Sequence, residues 1–251
     1  MNPRFENQVA VITGGANGLG KAIGERIASE GGRIVIFDRV EDDCRSAVEE
    51  FSKNDYQASF ELVDVSKEAD IESAMSRTQE QCGKIDIVVN CAGVIGPTSV
   101  LAADIDTDAF DQTIAINLRG SFLVTKHALR HMTARNYGRI LLIASIAGKE
   151  GNAGMTPYSA SKAGVIGLVK AIGKEYAESG ITINGLAPAV VKTAMVDSMA
   201  PEQVKYMTDK IPMKRLGTLE EVAAMAAWIV SPEASFNTAF TFDLSGGRAT
   251  Y

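Results

Sequence analysis

Several features are scarce or missing in this sequence, and each absence excludes a class of protein. Only three cysteines occur among 251 residues, widely spaced and without a C-x-x-C pair. This excludes a disulfide framework or a cysteine zinc site, and we expect reduced thiols in a cytoplasmic protein. No apolar run reaches the roughly 18 residues of a membrane span. The opening stretch MNPRFENQVAVITGG lacks the apolar segment and cleavage site of a signal peptide.

Basic residues are fewer than acidic ones. The chain has 25 Lys and Arg against 31 Asp and Glu, a formal net charge of -6. Nucleic acid and anionic membranes both attract basic surfaces, so we expect neither as a partner.

Apolar runs of strand length alternate with amphipathic segments along nearly the whole chain. Several runs are almost continuously apolar, which is typical of parallel strands covered on both faces. The candidate strands are QVAVIT, RIVIFD, ASFELVDV, IDIVVN, RILLIA, ITINGLA and TAFTFDL, and the clearest candidate helices are Leu19–Glu30, Glu41–Lys53, Glu68–Cys82 and Ser159–Glu178. The pattern predicts one α/β domain over residues 1–251, a doubly wound parallel Rossmann-like sheet with helices on both faces.

The least regular stretch lies around residues 190–213. It contains four methionines and two prolines: Met195, Met199, Pro201, Met207, Pro212 and Met213. Methionines usually fill the core, but flexible thioethers also suit an adaptable lid over a substrate pocket. We predict a flexible lid here.

A glycine-rich turn follows the first predicted strand. In TGGANGLG, Gly14, Gly18 and Gly20 allow a tight turn and a close approach of the backbone to a pyrophosphate at a helix N-terminus. Such a turn is a weak signal by itself, because turns use glycine whether or not they bind a ligand.

The second predicted strand strengthens the nucleotide interpretation. RIVIFD ends in Asp38, whose carboxylate is suited to the hydroxyls of an adenosine ribose and would repel a 2′-phosphate. This favours NAD over NADP, with the neighbouring Arg39 solvated or stacked on the adenine. Alternatively, Asp38 caps the segment that follows.

The segment MTPYSASKAGVIG predicts a helix that starts with an acid/base pair. Thr156 suits the N-cap and Pro157 the first helical position. Tyr158 and Lys162 then lie one turn apart on one face. A lysine ~4 Å from a tyrosine interacts with its phenolate by ~1 kcal/mol in bulk water, which is less than one pKa unit. At an effective dielectric of ~20 the same interaction is worth ~4 kcal/mol, so a large lowering of the tyrosine pKa needs a partly desolvated site. We therefore expect Lys162 to lower the pKa of Tyr158.

With TGGANGLG, NCAG, Asn117, Ser145 and YSASK in this order, the chain resembles the short-chain dehydrogenase/reductase family over essentially its whole length. The resemblance implies NAD as cofactor and an acid/base role for Tyr158. It also implies that Lys162 activates Tyr158, that Ser145 positions the substrate oxygen, and that Asn117 holds a relay water. Further cofactor contacts implied by the resemblance are Gly14, Asn17, Gly18, Leu19, Asp64, Val65, Asn90, Ala92, Gly93, Val191 and Thr193.

Two departures from the family pattern and one histidine pair call for interpretation. Ala189 stands where the family usually has glycine, and Cys91 where it more often has asparagine. We interpret Cys91 as a small apolar residue rather than a nucleophile. His127 and His131 could share a helix face as metal ligands, but no third ligand stands out, so we expect a solvated helix and no metal.

The stretch between Ser145 and Tyr158 implies a polar substrate. Lys149 and Asn152 there suit a small hydroxylated compound, although Lys149 is also consistent with a solvated loop charge. The end FDLSGGRATY resembles bacterial relatives that oxidise sugar acids, with Arg248 binding a carboxylate or forming a structural salt bridge.

The leading hypothesis is an NAD-dependent dehydrogenase for a sugar-derived hydroxy or keto-deoxy acid, or a polyol. Alternatives are a 3-oxoacyl-thioester reductase and a non-catalytic NAD-binding protein. The resemblance also implies a homotetramer, with helices Ser159–Glu178 and Ser121–Ala134 as candidate interfaces.

Overall fold

Seven parallel strands form one sheet in the computed structural model, which describes residues 3–193, 196, 201–249 and 251. The strand order is β3-β2-β1-β4-β5-β6-β7, and every neighbouring pair is parallel. The strands are β1 Val9–Thr13, β2 Arg33–Asp38, β3 Ala58–Leu62, β4 Ile87–Asn90, β5 Gly138–Ile143, β6 Ile181–Pro188 and β7 Thr241–Leu244.

Helices connect the strands. They are α1 Gly18–Ser29, α2 Glu41–Lys53, α3 Glu68–Cys82, α4 Thr107–Ile114, α5 Gly120–Met132, α6 Ala147–Glu150, α7 Thr156–Glu175, α8 Pro201–Asp209 and α9 Leu219–Ile229. A π-helical turn, Ala115–Arg119, joins α4 to α5. No helix in the described part of the chain has the length and apolarity needed to cross a bilayer.

The strands β1, β4, β5 and β6 are buried on both faces, as their apolar runs predict, while the edge strands β3 and β7 are only partly buried. In β1, Val9 and Val11 face one apolar cluster, while Ala10 and Ile12 face the other. Helices α3, α5 and α7 cover the first face, and α1, α2 and α9 cover the second. The predicted doubly wound α/β class is confirmed.

All seven predicted strands are present, with changes at their ends. Strand β3 stops at Leu62, and β7 starts at Thr241, later than the apolar run TAFTFDL suggests. The chain order reverses between β1 and β4, and in open α/β sheets the crevice at the carboxyl ends of the strands beside such a point binds ligands. Both β1 and β5 lead into predicted site residues.

The predicted lid lies only partly within the described residues. Met195 and Met199 are outside them, while Pro201–Asp209 forms α8 and Ile211 is buried. The lid function, and the assignment of residues 1–251 to one domain, stay predictions.

Candidate active site

Helix α7 places Tyr158 and Lys162 one turn apart, as predicted, but it starts one residue earlier than we predicted. Met155 is the N-cap and makes no side-chain capping bond, so Thr156 is the first helical residue rather than the cap. The Lys162 ammonium lies 5.8 Å from the centre of the Tyr158 ring. It donates a hydrogen bond of 2.7 Å to the carbonyl of Ile143 at the end of β5. This bond fixes Lys162 between helix and sheet.

Ser145 and Tyr158 come together at the carboxyl end of β5. Ser145 is buried, and its hydroxyl lies near that of Tyr158. Burial raises the pKa of Tyr158 above its ordinary value, and the interaction with the Ser145 hydroxyl acts in the opposite direction without cancelling the rise. The Ser145 hydroxyl also accepts a hydrogen bond from the Ala147 amide at 3.1 Å, which fixes its position.

The pKa of Tyr158 is raised in this structure, the opposite direction to the lowering that we expected beside Lys162. Burial lowers the pKa of Lys162 itself to about 8, because the ammonium is taken out of water without a carboxylate partner among the described residues. A pKa of about 8 still leaves most of the ammonium charged at neutral pH, so Lys162 remains a cation near the Tyr158 ring. Burial thus acts against the charged forms of both side chains.

Asn117 lies in the π-helical turn before α5, and its side chain is buried and fully engaged. Its Oδ1 accepts from the Val94 amide, and its Nδ2 donates to the Val94 carbonyl, both at 2.8 Å. The same Nδ2 donates to Ser161 Oγ at 3.0 Å, which links the turn to α7. The side chain thus holds the Val94 segment against α7, and the predicted role of Asn117 in a water relay stays a prediction.

The glycine-rich turn leads into an uncapped helix N-terminus. Asn17, at the N-cap of α1, donates its side-chain amide to Asp43 instead of capping the helix, and the first turn has no acidic residue. Gly18 has a φ of 53°, and a Cβ built there meets nothing within 4 Å. Leu19 follows in the first turn. Free N–H groups beside open space fit a pyrophosphate.

A cavity of about 230 Å³ extends from this turn along the ends of β1, β2 and β4. Several predicted cofactor residues line it, together with Phe37, Val63, Val94 and Ile116, which we did not predict. Arg39, for which stacking on the adenine was one of our two alternatives, also lines it. The predicted ones are Gly14, Asp38, Asp64, Val65, Ala92 and Gly93. A Cβ on Gly14 would lie 2.9 Å from the Ala92 amide nitrogen, so only glycine fits there.

The Asp38 carboxylate is fixed at the entrance to this cavity. Its Oδ2 accepts from the Ala16 amide at 3.3 Å and its Oδ1 from the Arg39 amide at 2.8 Å. Each oxygen keeps acceptor capacity for a ribose hydroxyl. Burial alone would raise the pKa of Asp64, but hydrogen bonds from Ser66 and the charges of Lys67 and Arg39 lower it, so Asp64 is ionised at neutral pH. The cavity and the uncapped helix together fit an adenine dinucleotide.

The Asn90 side chain links β1 and α5 beneath this cavity. Its Oδ1 accepts from Thr13 Oγ1 at 2.7 Å and its Nδ2 donates to Ser121 Oγ at 2.9 Å, with only 2% of the residue exposed. The side chain is therefore directed into a buried network between β1, β4 and α5. We predicted that Asn90 lines the cofactor floor, and the structure places it beneath that floor.

Val191 and Thr193 follow β6. Val191 is buried and forms a parallel bridge with Gly217, and the Lys192 amide donates to the Gly217 carbonyl at 2.8 Å. Thr193 is partly buried. Their predicted contact with the nicotinamide carboxamide stays a prediction.

Lys149 does not present its charge to a substrate. Its ammonium pairs with the Asp243 carboxylate of β7 at 2.8 Å and also donates to the backbone oxygen of Tyr251. The Tyr251 hydroxyl returns a hydrogen bond to the Lys149 carbonyl at 2.9 Å. Because the side chain is only 10% exposed, we correct its predicted substrate contact to a structural ion pair.

Asn152 lies in the loop between α6 and α7. Its amide nitrogen donates to Ser159 Oγ at 3.0 Å, next to Tyr158 in the sequence. Arg248 forms an ion pair of 2.8 Å with Glu150, the structural salt bridge that we left open as an alternative. The predicted substrate contact of Asn152 stays a prediction.

The remaining candidates are inert or structural. Cys91 lines the cavity, and burial raises the pKa of its thiol to about 12, which excludes a nucleophilic thiolate at neutral pH. His127 is buried against the Glu68 carboxylate at 3.1 Å, so our expectation of a solvated side chain is wrong for it. Among the described residues, no three His, Cys, Asp or Glu side chains cluster as a metal site requires.

Known proteins match the chain over most or all of its length. A model of the family described as short chain dehydrogenase matches residues 8–204. A 2-dehydro-3-deoxy-L-rhamnonate dehydrogenase (NAD(+)) from Sphingomonas sp. (strain SKA58) is 42% identical, over 99% of this chain and 98% of that protein. A 3-oxoacyl-[acyl-carrier-protein] reductase of Salmonella typhimurium is 32% identical, over 97% and 98%.

The fold has solved counterparts. An actinorhodin polyketide ketoreductase variant, crystallised with NADPH, superimposes with a TM-score of 0.92 at 33% identity, covering 100% of both chains. The superimposed region therefore includes the residues of the candidate active site.

Proposed function

The chain belongs to the short-chain dehydrogenase family and is an oxidoreductase acting on CH–OH groups, and we propose that it uses NAD to oxidise a small hydroxy acid derived from a sugar. The observation that carries this proposal is the meeting of Ser145, Tyr158 and Lys162 at the end of β5, beside a cavity bordered by Asp38. NAD, when bound, supplies the nicotinamide that takes up the hydride.

Tyr158 is the group suited to take the hydroxyl proton of the substrate. The Ser145 hydroxyl near its phenol is suited to orient the substrate oxygen. The deprotonated form needed for oxidation increases with pH, and burial, which raises the pKa of Tyr158, moves that increase to higher pH. Lys162, fixed by the Ile143 carbonyl, is positioned to hold the cofactor ribose and to carry a proton away. Asn117 keeps α7 and the Val94 segment together around this lysine.

The preference for NAD over NADP is a proposal based on Asp38. A carboxylate fixed by two backbone amides cannot turn away from a 2′-phosphate, and the repulsion between the two anions disfavours NADP. The name of the Sphingomonas relative, which specifies NAD, agrees with this preference.

The substrate class is proposed from two sources. The relative with 42% identity is named for a keto-deoxy sugar acid. In this chain, the loop before α7 offers the amide of Asn152 but no large apolar side chain beyond Met155, which suits a polar compound.

Purified protein assayed for NAD and NADP reduction with sugar acids, keto-deoxy acids, polyols and simple secondary alcohols tests the proposal. We expect turnover with NAD on an acid, and its loss in Tyr158→Phe. Turnover confined to NADP would overturn the cofactor assignment, and turnover confined to neutral alcohols would overturn the substrate class.

A 3-oxoacyl-thioester reductase is the second candidate, because a relative with that name shares 32% identity over nearly the full chain. Assays in the reducing direction with NADH, NADPH and 3-oxoacyl thioesters distinguish the two. Tight NAD binding without turnover on any of these substrates would instead favour a non-catalytic NAD-binding protein.

A homotetramer built through the helices Ser159–Glu178 and Ser121–Ala134 is part of the proposal. On α7, a Cβ at Gly167 would meet nothing within 4 Å, so this glycine leaves room for a second helix to approach. On α5, Phe122 is 43% exposed. Sedimentation of a monomer at assay concentration would contradict the assembly.

We further propose that residues 190–213 close over the substrate and that the protein resides in the cytoplasm. Limited proteolysis with and without NAD and substrate tests the lid, since closure protects α8 from cleavage. Cell fractionation tests the location.

A further inference from the structure

Arg248 extends from a tight turn after β7. Gly246 and Gly247 have φ values of 59° and 87°, which favour glycine, and the Arg248 amide donates to the Ser245 carbonyl at 3.2 Å. The Ala249 amide then donates to Ser245 Oγ at 3.1 Å. The backbone on both sides of Arg248 is therefore fixed, and its side chain is only 10% exposed.

The guanidinium of Arg248 binds two residues of the stretch between Ser145 and Tyr158, which we predicted to contact the substrate. Its Nε donates to Glu150 Oε2 at 2.8 Å, at the end of α6. Its Nη2 donates to Asn152 Oδ1 at 3.1 Å, in the loop before α7. Since Glu150 neutralises the guanidinium, Arg248 is a weak direct attractor for a second carboxylate.

The contact determines which way the Asn152 amide faces. A guanidinium has donors only, so the carbonyl end of Asn152 must face Arg248 and the NH2 end must face away. Among the described residues, that NH2 has one hydrogen-bond partner, Met155 Sδ at 3.9 Å, which is a weak acceptor. The Asn152 donors therefore remain available beside Ser159, which follows Tyr158.

We infer that Arg248 is a positioning residue that turns the Asn152 amide so that its NH2 donates to the carboxylate of the substrate. The group that selects an acid is thus the uncharged NH2 of Asn152. Arg248, whose charge is balanced by Glu150, only holds that amide in position. The inference relies on the proposed function for the identity of the substrate, but the amide orientation does not depend on it.

A double-mutant cycle on the best acid of the panel tests the inference. Losing one hydrogen bond predicts a roughly tenfold rise in KM for Arg248→Met and for Asn152→Ala, with kcat changed less than about twofold. The double variant should be no worse than Asn152→Ala alone, because Arg248 acts through Asn152. Additive effects would mean that Arg248 contacts the substrate directly and would overturn the inference.

Two further variants separate positioning from general destabilisation. Asn152→Asp should raise KM for the acid more than for a neutral polyol, because a carboxylate there repels the acid. Arg77→Met, which removes an exposed ion pair with Glu61, serves as the matched control and should leave KM unchanged. If Arg248→Met and Asn152→Ala lower both kcat and Tm but leave KM unchanged, the two residues have a merely structural role and the inference is rejected.

A spectroscopic measurement keeps the test independent of the proposed function. With 15N-asparagine labelling, the side-chain NH2 resonance of Asn152 is identified by its loss in Asn152→Ala. In the protein without substrate, it should shift in Arg248→Met and stay in place in Arg77→Met. If the wild type oxidises no acid, the proposed function fails, while an unchanged Asn152 resonance in Arg248→Met would overturn the inference itself.

Discussion

The Lys162 ammonium donates to the Ile143 carbonyl at 2.7 Å and lies 5.8 Å from the centre of the Tyr158 ring. The lysine is thus tied to the sheet, not paired directly with the phenol. Burial raises the pKa of Tyr158 and lowers that of Lys162, so both groups lie closer to their neutral forms than in water.

Replacing Tyr158 by phenylalanine should remove the proton acceptor and leave the fold intact. We expect kcat to fall by ~10²–10⁴-fold, the range of general acid–base catalysis, with the affinity for NAD nearly unchanged. Steady-state kinetics and fluorescence titration of NADH measure the two effects. Tyr176→Phe is the control, since its hydroxyl has no hydrogen-bond partner within the described residues.

Oxidation should be favoured by alkaline conditions. The raised pKa of Tyr158 means that the phenolate fraction, and with it kcat/KM for oxidation, increases with pH above neutrality. The reverse reaction needs the protonated phenol and should lose rate over the same range. A pH profile measured from about pH 6 to about pH 10 checks this, and an oxidation rate that falls above neutrality would refute it.

Lys162 should make stability depend on pH. Its pKa is about 8 in the folded protein, below the ordinary value of 10.5, so the unfolded chain binds more protons between these values. The free energy of unfolding therefore rises as pH increases from about 8 to 10.5, where the folded protein has already released the proton. Below about 8 the buried charge destabilises the fold by a constant amount. Comparing Tm of the wild type with that of Lys162→Met, the difference should move in favour of the wild type as pH rises. A difference independent of pH would contradict the lowered pKa.

Asp38 should control the choice of cofactor. Asp38→Ser removes the repulsion of a 2′-phosphate and leaves Arg39 nearby as a cation, so the NAD/NADP ratio of kcat/KM should fall by ~10²-fold, equivalent to about 3 kcal/mol. Kinetics with both cofactors measure the ratio. Adding Arg39→Ala should reverse part of the gain for NADP, and an unchanged ratio in Asp38→Ser would show that another group discriminates.

The pair between Lys149 and Asp243 should support stability, not substrate binding. Lys149→Met leaves a partly buried carboxylate without its cation, so we expect the free energy of unfolding to fall by about 1–3 kcal/mol, with KM for the acid unchanged. Chemical denaturation measures the loss. Arg45→Met, which removes an exposed pair with Glu41, should cost less than about 0.5 kcal/mol. A rise in KM without loss of stability would restore the substrate role.

Local patterns were sufficient to predict most of the framework. The apolar runs predicted all seven strands because central parallel strands, covered on both faces, are mostly apolar. The amphipathic segments predicted α2 and α3 with their observed bounds, Glu41–Lys53 and Glu68–Cys82. The spacing of Tyr158 and Lys162 needed only the helical repeat.

Contacts between distant segments could not be predicted in this way. Arg248 meets Glu150, and Lys149 meets Asp243, about a hundred residues apart, through a turn whose path the sequence does not specify. The family resemblance implied that Asn90, at the end of β4, lines the cofactor floor, but its side chain is bonded to Thr13 and Ser121 in a buried network.

The sequence by itself determined the fold class, the glycine-rich turn, Asp38 at the end of β2 and the Tyr158–Lys162 pair, because each follows from residue type and short-range periodicity. Only the tertiary structure decided the electrostatics of the pair and the partners of the charged side chains. A pKa depends on how completely packing removes water, and an ion pair depends on which segments packing brings within a few ångströms. Neither quantity is a property of residue order along the chain.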